Sequence, residues 1–310
     1  MVKKKTSAQG RLKLFQIRTV KEGYAKSLDG TEIYFHSIGN GKIPIICCNG
    51  LGVSTFFWVY LERHFKETFQ VVTWDYRGHG KSFLKKNTRN FTLKALTEDL
   101  RAVLKALKIK KGIFIGHSMG TQLILEFYRR HPKSVLAIIS CLGYYGHPMD
   151  YFFNISLSPL LFRLVYFLGT TFPKQANLIS RLFLLWNPLA SWMGGILKVM
   201  NTGMINREDM NHYVDHLVSV EPILFSTLLK SSQENSAEDI LSRIKVPTLI
   251  LAGEDDQFTP AWISRKMHRL VPKSELLTIH RATHAGLVEQ PDVINLRIEK
   301  FINERLRIPK

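Results

Sequence analysis

Cysteine is scarce: the 310 residues hold three, and Cys47 and Cys48 are adjacent inside an apolar run. That pattern makes no disulfide framework, so a core stabilised by packing in a reducing compartment is expected, and the location is read as cytoplasmic. No zinc-ligand spacing occurs, and neither a metal nor a cofactor is assigned. His212 and His216 stand four apart with Asp215 between them, but lack a third ligand. Long hydrophobic runs are missing as well. The basic start, Met1-Val2-Lys3-Lys4-Lys5, leads into no apolar stretch of signal length. The charge-free stretch between Arg181 and Lys198 is shorter than a bilayer span and contains Asn187 and Pro188, so no transmembrane helix is expected.

Negative charge is also sparse. Lys and Arg total 43 against 25 Asp and Glu, a formal net charge of +18. Such a chain is drawn to anionic surfaces, which leaves peripheral contact with an anionic membrane open. The cations are spread along the whole sequence with no nucleic-acid recognition motif, so no specific nucleic-acid partner is expected. No internal repeat is visible, and the oligomeric state is not legible.

What is present is an alternation of short apolar runs with amphipathic segments. Residues 1–19 read as a basic extension. Tyr24 to His36 reads as a hairpin turning at Asp29-Gly30. Further strands are expected at Ile43–Cys48, Gln70–Trp74, Gly112–Gly116, Val135–Ser140, Val246–Ala252 and Leu276–Ile279. Helices are expected from a Ser54 cap to about His64, from Leu93 to Leu107, from Ser118 to about Arg130, and from Pro291 to Arg305. Val293, Ile294, Leu296, Ile298 and Phe301 are the expected buried positions of the last. This rhythm predicts an α/β fold with a mostly parallel, eight-stranded sheet covered by helices on both faces. It breaks between about 144 and 235, a segment rich in Phe, Leu, Trp and Met. That segment reads as an inserted helical lid dividing the core into 20–143 and 236–310.

One stretch carries chemistry. Ile113-Phe114-Ile115-Gly116-His117-Ser118-Met119-Gly120 ends a strand in the pattern G-x-S-x-G and enters a helix. The flanking glycines let a serine stand on a strained elbow with its hydroxyl exposed. A serine needs a base, and the base needs an orienting acid. Downstream, Gly253-Glu254-Asp255-Asp256 follows one strand and Arg281-Ala282-Thr283-His284 follows the next. The order Ser, Asp, His is the one this elbow fold uses.

Together these motifs resemble the α/β-hydrolase family in its lid-bearing, serine esterase and lipase-like branch, over residues 20 to 305. The resemblance implies Ser118 as nucleophile, His284 as general base and then acid, and Asp256, more than Asp255 or the alternative Asp150, as orienter. It implies backbone N–H groups of Leu51 and Met119 as oxyanion donors, with Asn49 where the family usually has histidine. Asp75-x-Arg77-Gly78-x-Gly80-x-Ser82 matches a family loop read as structural. His117 reads as a packed neighbour, and His280 as a decoy at a strand end. The implied activity is hydrolysis of a small hydrophobic, lipid-like carboxylic ester through an acyl-enzyme. Apolar runs from Phe152 to Phe167 and from Leu182 to Trp192 favour that substrate class, at least half of them being expected to fix the lid to the core. The same three residues also serve thioesterase, lactonase, carbon–carbon hydrolase or cofactor-free peroxidase chemistry, and a non-catalytic binding member is the rival. Epoxide hydrolase chemistry is disfavoured, because those relatives carry aspartate where this chain has Ser118.

Overall fold

The computed structural model describes residues 20–84, 90–185 and 200–306. Residues 1–19, expected as an extension, and Trp186 and Trp192, expected in the lid, lie outside them. Among the described residues the strands are β1 (Val20–Lys26), β2 (Glu32–Ile38), β3 (Pro44–Cys48), β4 (Gln70–Trp74), β5 (Gly112–His117), β6 (Val135–Cys141), β7 (Thr248–Gly253) and β8 (Glu275–Ile279). They form one sheet in the order β1-β2-β4-β3-β5-β6-β7-β8. β2 runs antiparallel to both neighbours, and every pair from β4 to β8 is parallel.

Helices α1 (Val59–Phe65), α2 (Leu93–Ala106) and α3 (Met119–Arg130) connect the first strands. Between β6 and β7 lie α4 (Ser158–Thr171), α5 (Pro173–Leu185), α6 (Arg207–Ser219), α7 (Pro222–Glu234) and the one-turn α8 (Glu238–Leu241). The chain closes with α9 (Ala261–Leu270), one-turn α10 (Gly286–Glu289) and α11 (Pro291–Leu306).

Strand periodicity builds the core. Successive side chains point to opposite faces, so Ile46, Cys48, Val72 and Phe114 enter one apolar cluster with Leu96, Leu100, Leu123 and Phe127 of α2 and α3. Ile45, Cys47, Val71 and Ile113 enter the other, with Leu61 and Phe65 of α1 and Ile298 and Phe301 of α11. Each fully buried aliphatic or aromatic side chain contributes roughly 1.5–3 kcal/mol of transfer free energy. All three cysteines are free and buried, and burial pushes their thiols up in pKa.

Two local expectations are corrected. Ser54 makes no side-chain cap; a 3-10 turn, Thr55–Trp58, precedes α1, and the Thr55 N–H goes to Asp75 Oδ1 at 2.9 Å. The Phe57 N–H, which a capping hydroxyl would take, goes instead to the Ser54 carbonyl at 3.1 Å. On α11 the buried stripe is Ile294, Ile298, Phe301 and Ile302, while Val293 and Leu296 face solvent. A helix puts positions i, i+4, i+7 and i+8 on one side, and 293 and 296 fall off that stripe.

The chain order reverses about β3, which lies between β4 and β5. Open parallel sheets form a crevice at such a point, outside the strand carboxyl ends. Cys48 pairs with Gly116 across β3 and β5, so the loops after these strands emerge side by side.

Candidate active site

Ser118 stands between β5 and α3 at φ 54°, ψ −121°, a conformation that non-glycine residues seldom adopt. The neighbouring backbone explains the glycines around it. A Cβ on Gly116 would lie 2.6 Å from the Gly120 carbonyl carbon and oxygen, and one on Gly120 would lie 2.1 Å from the Cys48 carbonyl oxygen. Strand and helix therefore pass at backbone contact, and the side chain at 118 is turned outward. Met119 opens α3, so its N–H has no intrahelical acceptor.

His284 follows β8. Its Nδ1 lies 2.9 Å from Asp256 Oδ2 and 3.2 Å from Oδ1, and both side chains are buried. The Asp256 carboxylate also accepts from the N–H groups of Phe258 and Thr259 at 2.8 and 2.9 Å and from the Thr259 hydroxyl at 2.6 Å. With Nδ1–H donated to the carboxylate, Nε2 is left as the basic nitrogen of a neutral ring. The backbone of the His284 loop is fixed from two sides. Glu289 accepts from Thr283 N–H at 3.0 Å, Thr283 Oγ1 at 2.5 Å and Asn201 N–H at 2.6 Å. The His284 carbonyl accepts from His117 Nε2 at 3.0 Å. Among the described residues no hydrogen bond joins Ser118 to His284; such contacts tighten when substrate enters.

Leu51 follows β3, and among the described residues its N–H has no protein acceptor. Asn49, in the same loop, is fully buried and satisfied. Its Nδ2 donates to the Trp74 carbonyl at 2.8 Å, its Oδ1 accepts from Trp58 Nε1 at 2.6 Å, and its own carbonyl accepts from the Tyr76 hydroxyl at 2.6 Å. The amide thus anchors the loop inward and leaves Leu51 at the crevice.

Leu51, Ser118 and His284 line one cavity of about 850 Å³, counted with its open mouth. Its walls are apolar. Phe152 and Phe258 come from the loops after β6 and β7, Leu217 from α6, and Phe225 and Leu229 from α7. Tyr213 of α6 also lines it, its phenol pushed up to about 12 by burial and so uncharged. A hydroxyl and an imidazole fixed by a carboxylate beside an apolar cavity are parts that acyl transfer needs.

The description of the alpha/beta hydrolase fold family matches residues 43–291. The chain belongs to the alpha/beta hydrolase fold family. It is 23% identical over 283 residues to "Uncharacterized hydrolase YugF" of Bacillus subtilis, covering 89% of this chain and 96% of that protein. It is 25% identical over 291 residues to human "Epoxide hydrolase 4", covering 90% of this chain and 77% of that one. Among solved structures it resembles a thermophilic esterase from Thermogutta terrifontis, with a TM-score of 0.73, 19% identity, and 92% and 98% of the two chains covered.

The other candidate residues of this alpha/beta hydrolase have separate places. Arg77 is buried and bonds Asp99 twice, at 2.8 and 2.7 Å, and Asp29 at 2.8 Å, tying the loop after β4 to α2 and to the β1–β2 turn. Asp150 is away from His284 and accepts from Gln233 Nε2 at 2.8 Å. His280 lies just past the end of β8, not within it, and pairs with Glu254 at 2.6 Å on the surface. His117 is buried and neutral, its pKa lowered well below the usual histidine range by desolvation. Among the described residues its Nδ1 has no partner, since Gly50 closes over that nitrogen. Both ring nitrogens of His216 are taken by backbone groups, Gly52 carbonyl and Gly80 N–H. Thr259 and Glu289 are site-supporting groups whose roles sequence reading missed. A hydroxyl three residues after Asp256 was the available signal for the first.

Proposed function

We propose that the chain is a serine hydrolase that cleaves hydrophobic carboxylic esters through an acyl-enzyme. The observation carrying this is the convergence of Ser118, on its strained elbow, with His284, oriented by Asp256, on a single apolar cavity. Ser118 Oγ attacks the ester carbonyl carbon while His284 Nε2 takes its proton. The carbonyl oxygen becomes an oxyanion that accepts from Leu51 and Met119 N–H groups; removing one such donor typically costs about 3 kcal/mol. The intermediate collapses, the carbon–oxygen bond breaks, and His284 returns the proton to the leaving alcohol. Water, deprotonated by the same imidazole, then attacks the acyl-serine and releases the acid and Ser118. No step needs a cofactor.

The walls support the substrate class. Phe152, Leu217, Phe225, Leu229 and Phe258 offer contact to an alkyl or aryl acyl group and few partners to a charged one. Helices α6 and α7 act as the lid over the nucleophile. The serine at the elbow favours acyl chemistry over the epoxide opening for which some relatives are named.

Labelling with a fluorophosphonate probe tests the reading. An adduct on Ser118 that is lost in Ser118→Ala is expected. Folded protein that takes no label would instead make the chain a binding member of its family. Among chromogenic esters, kcat/KM is expected to rise from acetyl to medium acyl chains; activity confined to the shortest would reject the hydrophobic assignment.

A further inference from the structure

Helix α4 inverts the usual surface pattern. Its inward stripe, Ser158, Pro159, Phe162, Tyr166 and Gly169, is buried or half-buried at helical spacing and packs toward α7. On a water-facing helix the remaining positions are polar. Here they are Leu160, Leu164, Val165 and Phe167, each at least half exposed. Leu178, Ile179 and Leu182 of α5 continue the apolar surface, each about 60% exposed or more. Monomeric soluble proteins rarely leave so many large apolar side chains together in water, and such a patch marks an interaction face.

Charge chooses the partner. Between Asp150 and Glu208 the sequence contains no Asp or Glu, but it contains Arg163, Lys174, Arg181, Lys198 and Arg207. On the described helices Arg163 and Lys174 are exposed; Arg163 also lines a side pocket with Lys230, Asp150 and Glu234, so the acids nearest it lie on the inner side of α4. A protein partner of ordinary composition would not require a run of 57 residues free of acid, whereas an anionic bilayer repels acids and attracts scattered cations. Among the described residues no single helix is long and apolar enough to cross a membrane. Pro148–Asn154 and Ser158–Thr171 form an apolar pair bent by 114°, in which Pro148, Met149 and Tyr151 are buried and α4 carries the exposed apolar face.

We propose that the outer face of α4 and α5 is a docking surface for the headgroup and upper acyl region of an anionic lipid bilayer. The apolar side chains enter the interface, and Arg163 and Lys174 meet the phosphates. Phe152, just before α4, lines the Ser118 cavity, so docking sets that cavity beside the membrane. The binding does not depend on the hydrolase reading, and it is measured without turnover.

The test is flotation of the full chain with vesicles of phosphatidylcholine alone or with about one-third phosphatidylserine, at low and at high salt. The expected result is co-flotation with the anionic vesicles, weakened by salt, and little with the neutral ones. Leu164→Asp with Val165→Asp, both at exposed positions, is expected to reduce the bound fraction at least tenfold. Arg163→Glu with Lys174→Glu, which leaves the apolar face intact, is expected to abolish the preference for anionic lipid. Circular dichroism and Ser118 labelling of each variant show whether it is folded. A wild-type chain that stays at the bottom at low salt, or an aspartate variant that floats as well as wild type, would overturn the proposal. So would sedimentation showing a stable dimer that the aspartate variant splits and that no vesicle binds, because the face would then belong to a second copy.

Discussion

His216 Nδ1 lies 2.9 Å from the Gly52 carbonyl oxygen, a bond that ties α6 to the loop carrying Leu51. The other ring nitrogen accepts from Gly80 N–H at 3.2 Å, so the ring bridges two loops at the crevice and is held as one neutral tautomer. Gly52 N–H in turn donates to His79 Nε2 at 3.4 Å, and the two imidazoles stack with centroids 6.0 Å apart. Gly52, the residue after Leu51, is thus gripped at both its N–H and its carbonyl.

That grip predicts a positioning role. Leaving the Gly52 carbonyl unpaired costs roughly 1–3 kcal/mol, and if the loop relaxes to recover it, the Leu51 N–H moves. His216→Ala is expected to lower kcat on a short chromogenic ester about tenfold while KM changes less than about twofold. His216→Asn, which keeps a donor near Nδ1, should recover much of the loss. A raised KM with unchanged kcat would mean that His216 only shapes the cavity.

His79 carries the pH dependence of stability. Burial pushes its pKa down to about 4, from the usual histidine value near 6.5. The unfolded chain therefore binds a proton that the folded chain refuses between those values, and stability falls as pH drops from about 6.5 toward 4. At pH 5 this single group removes about 2 kcal/mol relative to neutral pH. His117 and His216, both lowered by burial, act in the same direction. Urea denaturation at pH 7 and pH 5 is expected to show the loss, and His79→Gln to reduce it by about that amount. An unchanged pH slope in the variant would mean that His79 is not held neutral.

Asp256 and Thr259 separate orientation from support. Asp256→Asn keeps the shape but offers His284 Nδ1 the wrong partner, favouring the wrong tautomer; in serine-triad enzymes this change lowers kcat by about 10⁴. The same order is expected here, with KM within roughly threefold. Thr259→Val removes one of the donors holding the carboxylate and is expected to lower kcat by about tenfold or less. Equal effects of the two variants would place the dominant role in carboxylate placement.

Most of the frame was legible because it rests on local rules. Unbroken apolar runs read as strands covered on both sides, and the G-x-S-x-G spacing of Gly116, Ser118 and Gly120, with a strand before it and a helix after it, marked the elbow. Chain order and loop position pointed to an aspartate of the 253–256 loop beside His284, and the family resemblance chose Asp256 over Asp255. What remained hidden depends on contacts between distant segments. Asn49 satisfies Trp58 and Trp74 at once, and no local pattern announces that. The cavity walls Tyr213, Leu217, Phe225 and Leu229 lie about a hundred residues from Ser118, on helices whose crossing no periodicity fixes. At least half of the apolar residues from Phe152 to Phe167 were expected to secure the lid to the core, and which ones face outward was not legible, because composition gives hydrophobicity without its direction.

Strain at Ser118 gives a last test, with two readouts that move in opposite directions. Ser118 at φ 54° occupies a region that costs a non-glycine residue about 1–3 kcal/mol, and the backbone contacts at Gly116 and Gly120 hold it there. Gly116→Ala and Gly120→Ala push on backbone atoms that have nowhere to go, and each is expected to destabilise by at least about 2 kcal/mol. Ser118→Gly removes the Cβ that makes the conformation costly, while it also loosens the unfolded chain by somewhat under about 1 kcal/mol. The net expectation is a gain of roughly 1 kcal/mol in urea denaturation together with complete loss of fluorophosphonate labelling. Stability equal to or below that of wild type would mean that the elbow imposes no strain on Ser118, and that its exposure comes from the loop path alone.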